Sequence, residues 1–329
     1  MKHHIINTLS GSIFRSLQAS IQWSFFALIV SFLFIACTKE DDPAMYEESI
    51  DISDITSREL PKNPSELKIL AIGNSFTEDA VTMLPYLLDS SHIYNIQLGM
   101  LTLGGSSLEE HLTNYQRKAP VYDFNVTKEN RWKRISANYT IDDAIHFEDW
   151  DLIILQQVSR LSGQVQSYQP YLNQLIKKID DNSTYKNTVF GWHMTWAYAR
   201  SYTSNDFKYY GYNQLNMYAK IVNAVQAMQS ETGIKIIIPS GTAIQNLRNT
   251  SLNDPPMDLT RDGSHISLGI GRYTLSCTWF QALIAPLLGS DLSRNKYRVL
   301  FDMQVTDDNY NICQQAVLQA CRNKFEVSQ

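Results

Sequence analysis

Five short apolar runs between residues 67 and 240 constrain the fold of this chain most strongly. They read LKILAIG (67–73), YNIQLGML (94–101), WDLIILQQ (150–157), NTVFGWH (187–193) and IKIIIPS (234–240), with helical stretches near 83–91, 106–117, 168–180 and 213–232. Continuous apolar runs that alternate with helices are typical of parallel strands buried on both faces. The pattern predicts an α/β fold, a three-layer α/β/α sandwich with a five-stranded parallel sheet.

Two segments lie outside this alternation. Residues 120–147 contain VYDFNVTKENRWKRI, the pattern of a small hairpin with TKEN as its turn. Residues 309–325 have a helical apolar pattern and should pack on the body of the protein. We therefore expect one domain over residues 67–329, with a hairpin insertion at about 120–147 and a C-terminal helix at about 309–325.

Residues 1–36 have the pattern of a signal peptide. The apolar run WSFFALIVSFLFIA (23–36) has 14 uncharged residues, which is short for a membrane span of roughly 20 residues. Cys37 follows directly, and the arrangement resembles a bacterial lipoprotein signal, in which the lipidated cysteine begins the mature chain. Lys39 and the acids after it resemble the surface-export signal of some Gram-negative lipoproteins, so we expect a surface-exposed outer-membrane lipoprotein. A periplasmic location and a plain secretory signal are the alternatives.

Residues 37–66 are polar and acidic, with Pro43, Pro61 and Pro64, and predict a flexible tether. The chain carries 28 Lys and Arg against 33 Asp and Glu, a net charge of −5, which argues against nucleic acid as a partner. No cysteine and histidine cluster has the spacing of a zinc site, so no metal is expected.

Reactive side chains follow the apolar runs at the edge of the predicted sheet where open α/β folds bind ligands. Ser75 follows the first run, Gly105 the second, Gln156 and Gln157 end the third, His193 and Trp196 follow the fourth, and Asp262 and His265 follow the fifth. Serine is a weak nucleophile until a base takes its proton, and His265 is the candidate base. Asp262, three residues earlier, can reach Nδ1 of the imidazole and leave Nε2 free for Ser75.

An attack by Ser75 creates an oxyanion that needs preorganised donors. The backbone N–H groups of Ser75 and of Gly105, or its neighbour Gly104, are candidates, together with a side-chain amide. Gln157 is expected to supply that amide, because it lies further towards the carboxyl edge of the sheet than Gln156. The second Asp-x-x-His pair, Asp143 and His146, precedes the third strand and should lie at the wrong edge.

An aromatic segment, HMTWAYARSYTSNDFKYYGYN (193–213), leaves the fourth strand at the same edge. Aromatic side chains stack on the apolar faces of sugar rings, and their polar tips bond hydroxyls. Candidate substrate-binding residues are Gln156, His193, Trp196 and Tyr198, with core packing as the alternative for the aromatic ones.

The four blocks together resemble the SGNH/GDSL hydrolase superfamily over about residues 67–290. They are Gly73-Asn74-Ser75-Phe76, a glycine after the second strand, an amide after the third, and Asp262-x-x-His265. The resemblance implies a flavodoxin-like sandwich and a serine esterase that needs no cofactor. The third block departs from the usual Gly-x-Asn-Asp, because it reads LQQVS here, and Asn74 stands where aspartate is common.

These features predict a serine esterase that removes a short acyl group, expected to be acetyl, from a carbohydrate ester. Its partners would be that substrate and a membrane, through the lipid on Cys37. A non-catalytic glycan-binding lipoprotein on the same fold is one alternative, and a lipid esterase or thioesterase is another. A metal site built on Asp262 and His265 is a third, although no third ligand is evident in the sequence.

Overall fold

The computed structural model describes residues 50–328. Within that range the chain forms one mixed sheet with the strand order β4-β3-β2-β1-β5-β6-β7. The strands are β1 (Leu67–Gly73), β2 (Ile96–Thr102), β3 (Tyr122–Lys128), β4 (Arg131–Tyr139), β5 (Leu152–Leu155), β6 (Val189–His193) and β7 (Ile236–Ile238). The helices are α1 (Ser53–Thr56), α2 (Ser75–Val81), α3 (Leu84–Ser90), α4 (Leu108–Gln116), α5 (Ile141–Ile145), α6 (Tyr171–Asn182), α7 (Gln214–Thr232), α8 (Ser240–Arg248), α9 (Ile270–Trp279), α10 (Ala285–Leu288) and α11 (Tyr310–Arg322).

The sheet is mixed rather than wholly parallel, which corrects the five-stranded prediction. β2, β1, β5, β6 and β7 are parallel, but β3 pairs with β2 in antiparallel fashion and β4 pairs with β3. The hairpin at 120–147 therefore extends the sheet to seven strands in the described part of the chain. It covers the outer edge of β2, whose backbone groups would otherwise be unpaired. Tyr122 and Phe124 of β3 are fully buried, which anchors the hairpin.

The helices form two packed groups on the sheet. α2, α3, α8, α9 and α11 contact one another, and α4, α5 and α6 form a second set. The connection from β1 to β2 runs along the sheet towards β4. The connections from the hairpin to β5, from β5 to β6 and from β6 to β7 run towards the opposite edge. Because parallel crossovers are right-handed, connections of opposite direction lie on opposite faces. The result is a three-layer α/β/α sandwich, and the direction of the connections changes between β1 and β5.

The segment before β1 is folded onto the domain. Ile52 and Ile55 are buried, and the Thr56 hydroxyl donates a hydrogen bond of 2.6 Å to the Thr232 carbonyl. Arg58 forms an ion pair of 2.5 Å with Asp180. Residues 50–66 were expected to belong to a free tether, and the part around α1 is instead held by these apolar and polar contacts.

The remaining N-terminal predictions lie outside the described residues. They are the signal peptide at 1–36, the lipidation of Cys37 and the tether over 37–49. Among the residues that the structure describes, no helix is long and apolar enough to cross a membrane.

Candidate active site

The turn between β1 and α2 brings a serine to the carboxyl end of the sheet, beside the point where the connections change direction. Ser75 is the first residue of α2, and the Asn74 side chain caps that helix by accepting the Phe76 N–H at 3.0 Å. A Cβ on Gly73 would lie 2.1 Å from Thr77 Oγ1 and 3.0 Å from Gln156 Cγ. Only glycine fits there. In this turn Gly73 avoids a steric clash, Asn74 caps α2, and Ser75 presents its hydroxyl to the cavity.

The predicted nucleophile, base and acid lie within hydrogen-bond distance of one another. Ser75 Oγ lies 2.9 Å from His265 Nε2, and His265 Nδ1 lies 2.6 Å from Asp262 Oδ2. Serine, imidazole and carboxylate therefore form a continuous chain, although 190 residues separate Ser75 from His265. This geometry lets Asp262 orient the ring while Nε2 receives the serine proton.

Asp262 is held in its ionised form. Burial would raise the pKa of this carboxyl group, but hydrogen bonds from the backbone N–H groups of His265 and Ser264 outweigh it and lower the pKa to about 2. Asp262 Oδ1 accepts these bonds at 2.7 and 2.9 Å. The other oxygen is left for Nδ1 of the imidazole, so Nδ1 carries the proton and Nε2 has a free lone pair.

A buried ion cluster ties the loop that carries His265 to the helix that carries Ser75. Asp79 of α2 is fully buried, and its oxygens lie 2.9 and 3.1 Å from Arg261 Nη1. Arg272 of α9 donates to the same carboxylate at 2.8 Å. The Arg261 N–H also donates to the His265 carbonyl at 2.9 Å. Asp79 therefore links both halves of the candidate triad, a role that the sequence did not reveal.

Trp196 packs against the residues next to Ser75 and His265 and does not contact the cavity. Its ring is fully buried and stacks on Phe76, with ring centroids 4.1 Å apart and planes within 5°. Its indole N–H donates to the Ser264 carbonyl at 2.9 Å. The predicted substrate contact is therefore wrong for Trp196, because its side chain is fully buried and its one donor is used inside the protein.

Two backbone donors are free to bind an oxyanion. The N–H groups of Ser75 and Gly105 donate no hydrogen bond to any residue in the 50–328 range, and both residues line one cavity with His265. Gly105 has a φ of +71°, a left-handed conformation that favours glycine. Arg160 Nη1 donates to the Gly105 carbonyl at 2.9 Å and holds this loop.

Gln157 does not take its predicted place among these donors. Its amide nitrogen donates to the carbonyl and the hydroxyl of Ser167 at 2.8 and 3.1 Å. Its amide oxygen accepts the backbone N–H groups of Leu108 and Val158. Both ends of the buried amide are occupied, so Gln157 fixes the start of α4 and not an oxyanion.

Gln156 and His193 are also buried, which contradicts their predicted contact with substrate. Gln156 Nε2 donates to Asn74 Oδ1 at 2.8 Å, and Gln156 Oε1 lies 3.1 Å from His193 Nδ1. Burial lowers the pKa of His193 to about 3, so this imidazole is neutral. Its ring lies edge-on to Trp279 in the core.

Tyr198 is the one predicted substrate-binding residue that lines the cavity. The cavity has a volume of about 180 Å³, and the Tyr198 hydroxyl lies 2.8 Å from Ser159 Oγ. Arg160, Tyr202 and Asp206 complete this wall. Arg160 could have been found as the next charged residue after the third apolar run, and the other two lie in the aromatic segment.

Other features of the described residues carry no comparable chemistry. Cavities of about 230 and 350 Å³ elsewhere in residues 50–328 have no histidine in their linings. His146 bonds the Asp142 carbonyl through Nδ1 at 2.7 Å, and Asp143 is part of the cap of α5. Over the same range, no group of three or more His, Cys, Asp or Glu side chains could hold a metal ion.

Comparison with known proteins shows the family of the chain. The domain of unknown function DUF4886 matches residues 68–320. A crystal structure of a DUF4886 family protein from Bacteroides uniformis is 37% identical, with a TM-score of 0.72, and the match covers 80% of this chain and 97% of that one.

Two further solved structures are more distant, and a search of curated proteins finds no match. A putative SGNH hydrolase from Slackia heliotrinireducens is 18% identical with a TM-score of 0.41, covering 66% of this chain and 99% of that one. An acetylxylan esterase from Geobacillus stearothermophilus is 12% identical with a TM-score of 0.46, covering 70% and 98%. Such distant likenesses say nothing about activity, which must be argued from the site itself. The extent of the family match and the identity to the Bacteroides structure show that the chain belongs to the DUF4886 family.

Proposed function

We propose that this protein is a serine esterase that removes a short acyl group, acetyl in the first instance, from a carbohydrate. The observation that carries the proposal is the continuous chain from Ser75 Oγ to His265 Nε2 at 2.9 Å and from His265 Nδ1 to Asp262 at 2.6 Å. A hydroxyl, an imidazole and an ionised carboxylate in this order activate a serine for acyl transfer. No cofactor is needed for this chemistry.

In the proposed reaction, Ser75 Oγ attacks the carbonyl carbon of the ester while its proton passes to His265 Nε2. The carbonyl oxygen becomes an oxyanion and accepts the N–H groups of Ser75 and Gly105. When the tetrahedral intermediate collapses, the bond to the sugar oxygen breaks and that oxygen takes the proton from Nε2. A water molecule then attacks the acyl-enzyme by the same route, releases the carboxylate and restores the Ser75 hydroxyl.

The size and chemistry of the cavity favour a small acyl group on a polar alcohol. Its volume of about 180 Å³ is below the roughly 300–1,000 Å³ of pockets for larger ligands, which favours a short acyl chain over a long one. Arg160, Tyr202 and Asp206 in its wall offer donors and acceptors for sugar hydroxyls. The Asp206 carboxylate accepts no hydrogen bond from residues 50–328 and is available for such a contact.

The proposal includes the export and anchoring of the chain. The apolar run at 23–36 directly before Cys37 supports a lipoprotein signal. We infer a lipid-anchored protein of the outer membrane, with Cys37 as its first mature residue and the surface as its location.

The deciding experiment compares wild type with Ser75→Ala on p-nitrophenyl acetate, on p-nitrophenyl octanoate and on acetylated sugars. Ser57→Ala is the control, because Ser57 is exposed and remote from the cavity. We expect acetate to be released faster than octanoate and Ser75→Ala to lower turnover by at least about 1,000-fold. Equal turnover by wild type and Ser75→Ala would refute the esterase. Glycan binding without hydrolysis would then favour the non-catalytic alternative.

A further inference from the structure

Asn74 joins the two backbone segments that carry the free N–H groups. Its Oδ1 accepts the Phe76 N–H at 3.0 Å and so fixes the turn at Ser75. Its Nδ2 donates to the Ser106 carbonyl at 3.0 Å and so fixes the loop next to Gly105. The side chain is only 2% exposed. One amide therefore sets the spacing between the two candidate oxyanion donors.

Gln156 fixes the orientation of that amide. Since the Phe76 N–H is a donor and the Ser106 carbonyl an acceptor, Asn74 has one orientation that satisfies both. Gln156 Nε2 donates to Asn74 Oδ1 at 2.8 Å and reinforces this orientation. Gln156 Oε1 then faces away and accepts the Thr77 hydroxyl at 2.7 Å.

The far end of the chain of hydrogen bonds is a neutral histidine. Because Gln156 Oε1 is an acceptor, His193 Nδ1 at 3.1 Å must carry the proton. His193 Nε2 is then a lone pair, and it has no hydrogen-bond partner in the described part of the protein. Gly73 closes the network, because a Cβ there would lie within 3.0 Å of Gln156 Cγ. Hydrogen bonds with Asn74, Thr77 and His193 therefore fix the position of the Gln156 amide.

We propose that Gln156 and Asn74 are positioning residues for the oxyanion hole. Gln156 orients Asn74, and Asn74 holds the Ser75 turn and the Gly105 loop at the separation that an oxyanion requires. The inference rests on the proposed esterase function. It also explains the unusual third block, because its first glutamine acts on the oxyanion through Asn74 instead of by direct contact.

The test compares Gln156→Met with Gln314→Met. Both glutamines are buried, 1% and 2% exposed, and their amide nitrogens donate to Asn74 and to Tyr273, but Gln314 does not line the cavity. Both changes therefore remove a buried amide bond at similar cost in volume. We expect both variants to lose thermal stability. Only Gln156→Met should lower kcat on p-nitrophenyl acetate, by about 100-fold with KM within about two-fold, since a displacement of about 1 Å costs that much.

Asn74→Asp is the second variant, for the case in which Gln156→Met fails to fold. Aspartate keeps the acceptor for the Phe76 N–H and for Gln156 but loses the donor to the Ser106 carbonyl. We expect it to fold and to lower kcat by about ten-fold or more. Wild-type kcat in Asn74→Asp, or equal kcat losses in the two methionine variants, would overturn the inference.

A crystallographic comparison needs no substrate and separates this inference from the esterase proposal. In Gln156→Met the loop at 103–107 should move relative to Ser75, and in Gln314→Met it should not. If Ser75→Ala abolishes activity but the loop stays in place, the esterase stands and the inference fails. If wild type shows no activity that depends on Ser75, the esterase fails, and the presence or absence of the loop shift decides the positioning role alone.

Discussion

Asp79 offers the sharpest test of how this site is held together. The change is Asp79→Asn, which preserves the shape of a side chain that is fully buried and removes its charge. Arg261 and Arg272, now paired with one carboxylate at 2.9 and 2.8 Å, would face an amide. Because Arg261 lies on the loop that carries His265, the same change should loosen the candidate triad.

The expected magnitude follows from the burial of the pair. Breaking a buried ion pair by removing one partner costs about 3–5 kcal/mol, because the remaining charge is left uncompensated. The arginine side chains are 33% and 18% exposed, and the amide oxygen can still accept one hydrogen bond, so the lower end applies. We expect a loss of about 3 kcal/mol, a large part of the 5–15 kcal/mol of a typical domain.

The assay is urea unfolding followed by tryptophan fluorescence, with kcat measured on p-nitrophenyl acetate under native conditions. Asp180→Asn is the matched control, because Asp180 forms an ion pair of 2.5 Å with Arg58 far from the cavity. Both variants should lose stability, but only Asp79→Asn should lower kcat, by about ten-fold. A stability loss below about 1 kcal/mol, or the same kcat as Asp180→Asn, would refute the role given to Asp79.

Three further predictions address the acid, the substrate and the anchor. Asp262→Asn should lower kcat by about 10³–10⁴-fold, because an amide cannot hold Nδ1–H of His265 in place. The folded pKa of Asp262 is lowered to about 2 from 3.8, so its contribution to stability is present above pH 3.8 and is lost as the pH falls towards 2. Acid titrations should show a shallower loss of stability in Asp262→Asn than in wild type, and parallel curves would contradict this. Asp206→Asn should raise KM for an acetylated sugar several-fold and leave p-nitrophenyl acetate unaffected, and equal effects on both substrates would count against a sugar contact. Cys37→Ser should move the protein from the membrane fraction to the soluble fraction of cells, and a variant that is processed normally and stays with the membrane would exclude lipidation.

The convergence of Ser75, His265 and Asp262 could be predicted from the sequence because a parallel sheet collects side chains at its carboxyl edge. Ser75 follows a continuous apolar run, and Asp262 reaches His265 within one turn of chain. The positions of Ser75 and of the Asp262–His265 pair follow from the order of the strands alone, without knowledge of contacts between distant parts of the chain. The distances of 2.9 and 2.6 Å are what this rule leads one to expect.

The amide block could not be predicted, because the third strand ends sooner than its apolar run suggests. The run extends to residue 157, but β5 ends at Leu155, so the alternation of side chains across a strand does not apply beyond it. Gln156 turns towards Asn74, and Gln157 turns towards Ser167. Gln157 was preferred for its position along the strand, but the strand ends before either glutamine.

Asp79 was missed for a different reason. An acid in a polar segment after a strand is usually solvated, and nothing nearby in the sequence suggests burial. Its partner Arg261 lies 182 residues away. Only the packing of α2 against α9 brings the two arginines and the acid together.

The docking of α1 places the start of the described chain at the edge of the sheet opposite Ser75. Thr56 and Arg58 contact residues that precede β7 and β6, so the chain enters the domain where the parallel strands begin, whereas Ser75 lies where they end. Seven residues of β1 separate these two edges by about 20 Å, at about 3.3 Å per residue. Any tether or fusion partner that precedes residue 50 therefore joins the domain at the edge remote from Ser75, and it should leave the mouth of the cavity accessible to large substrates.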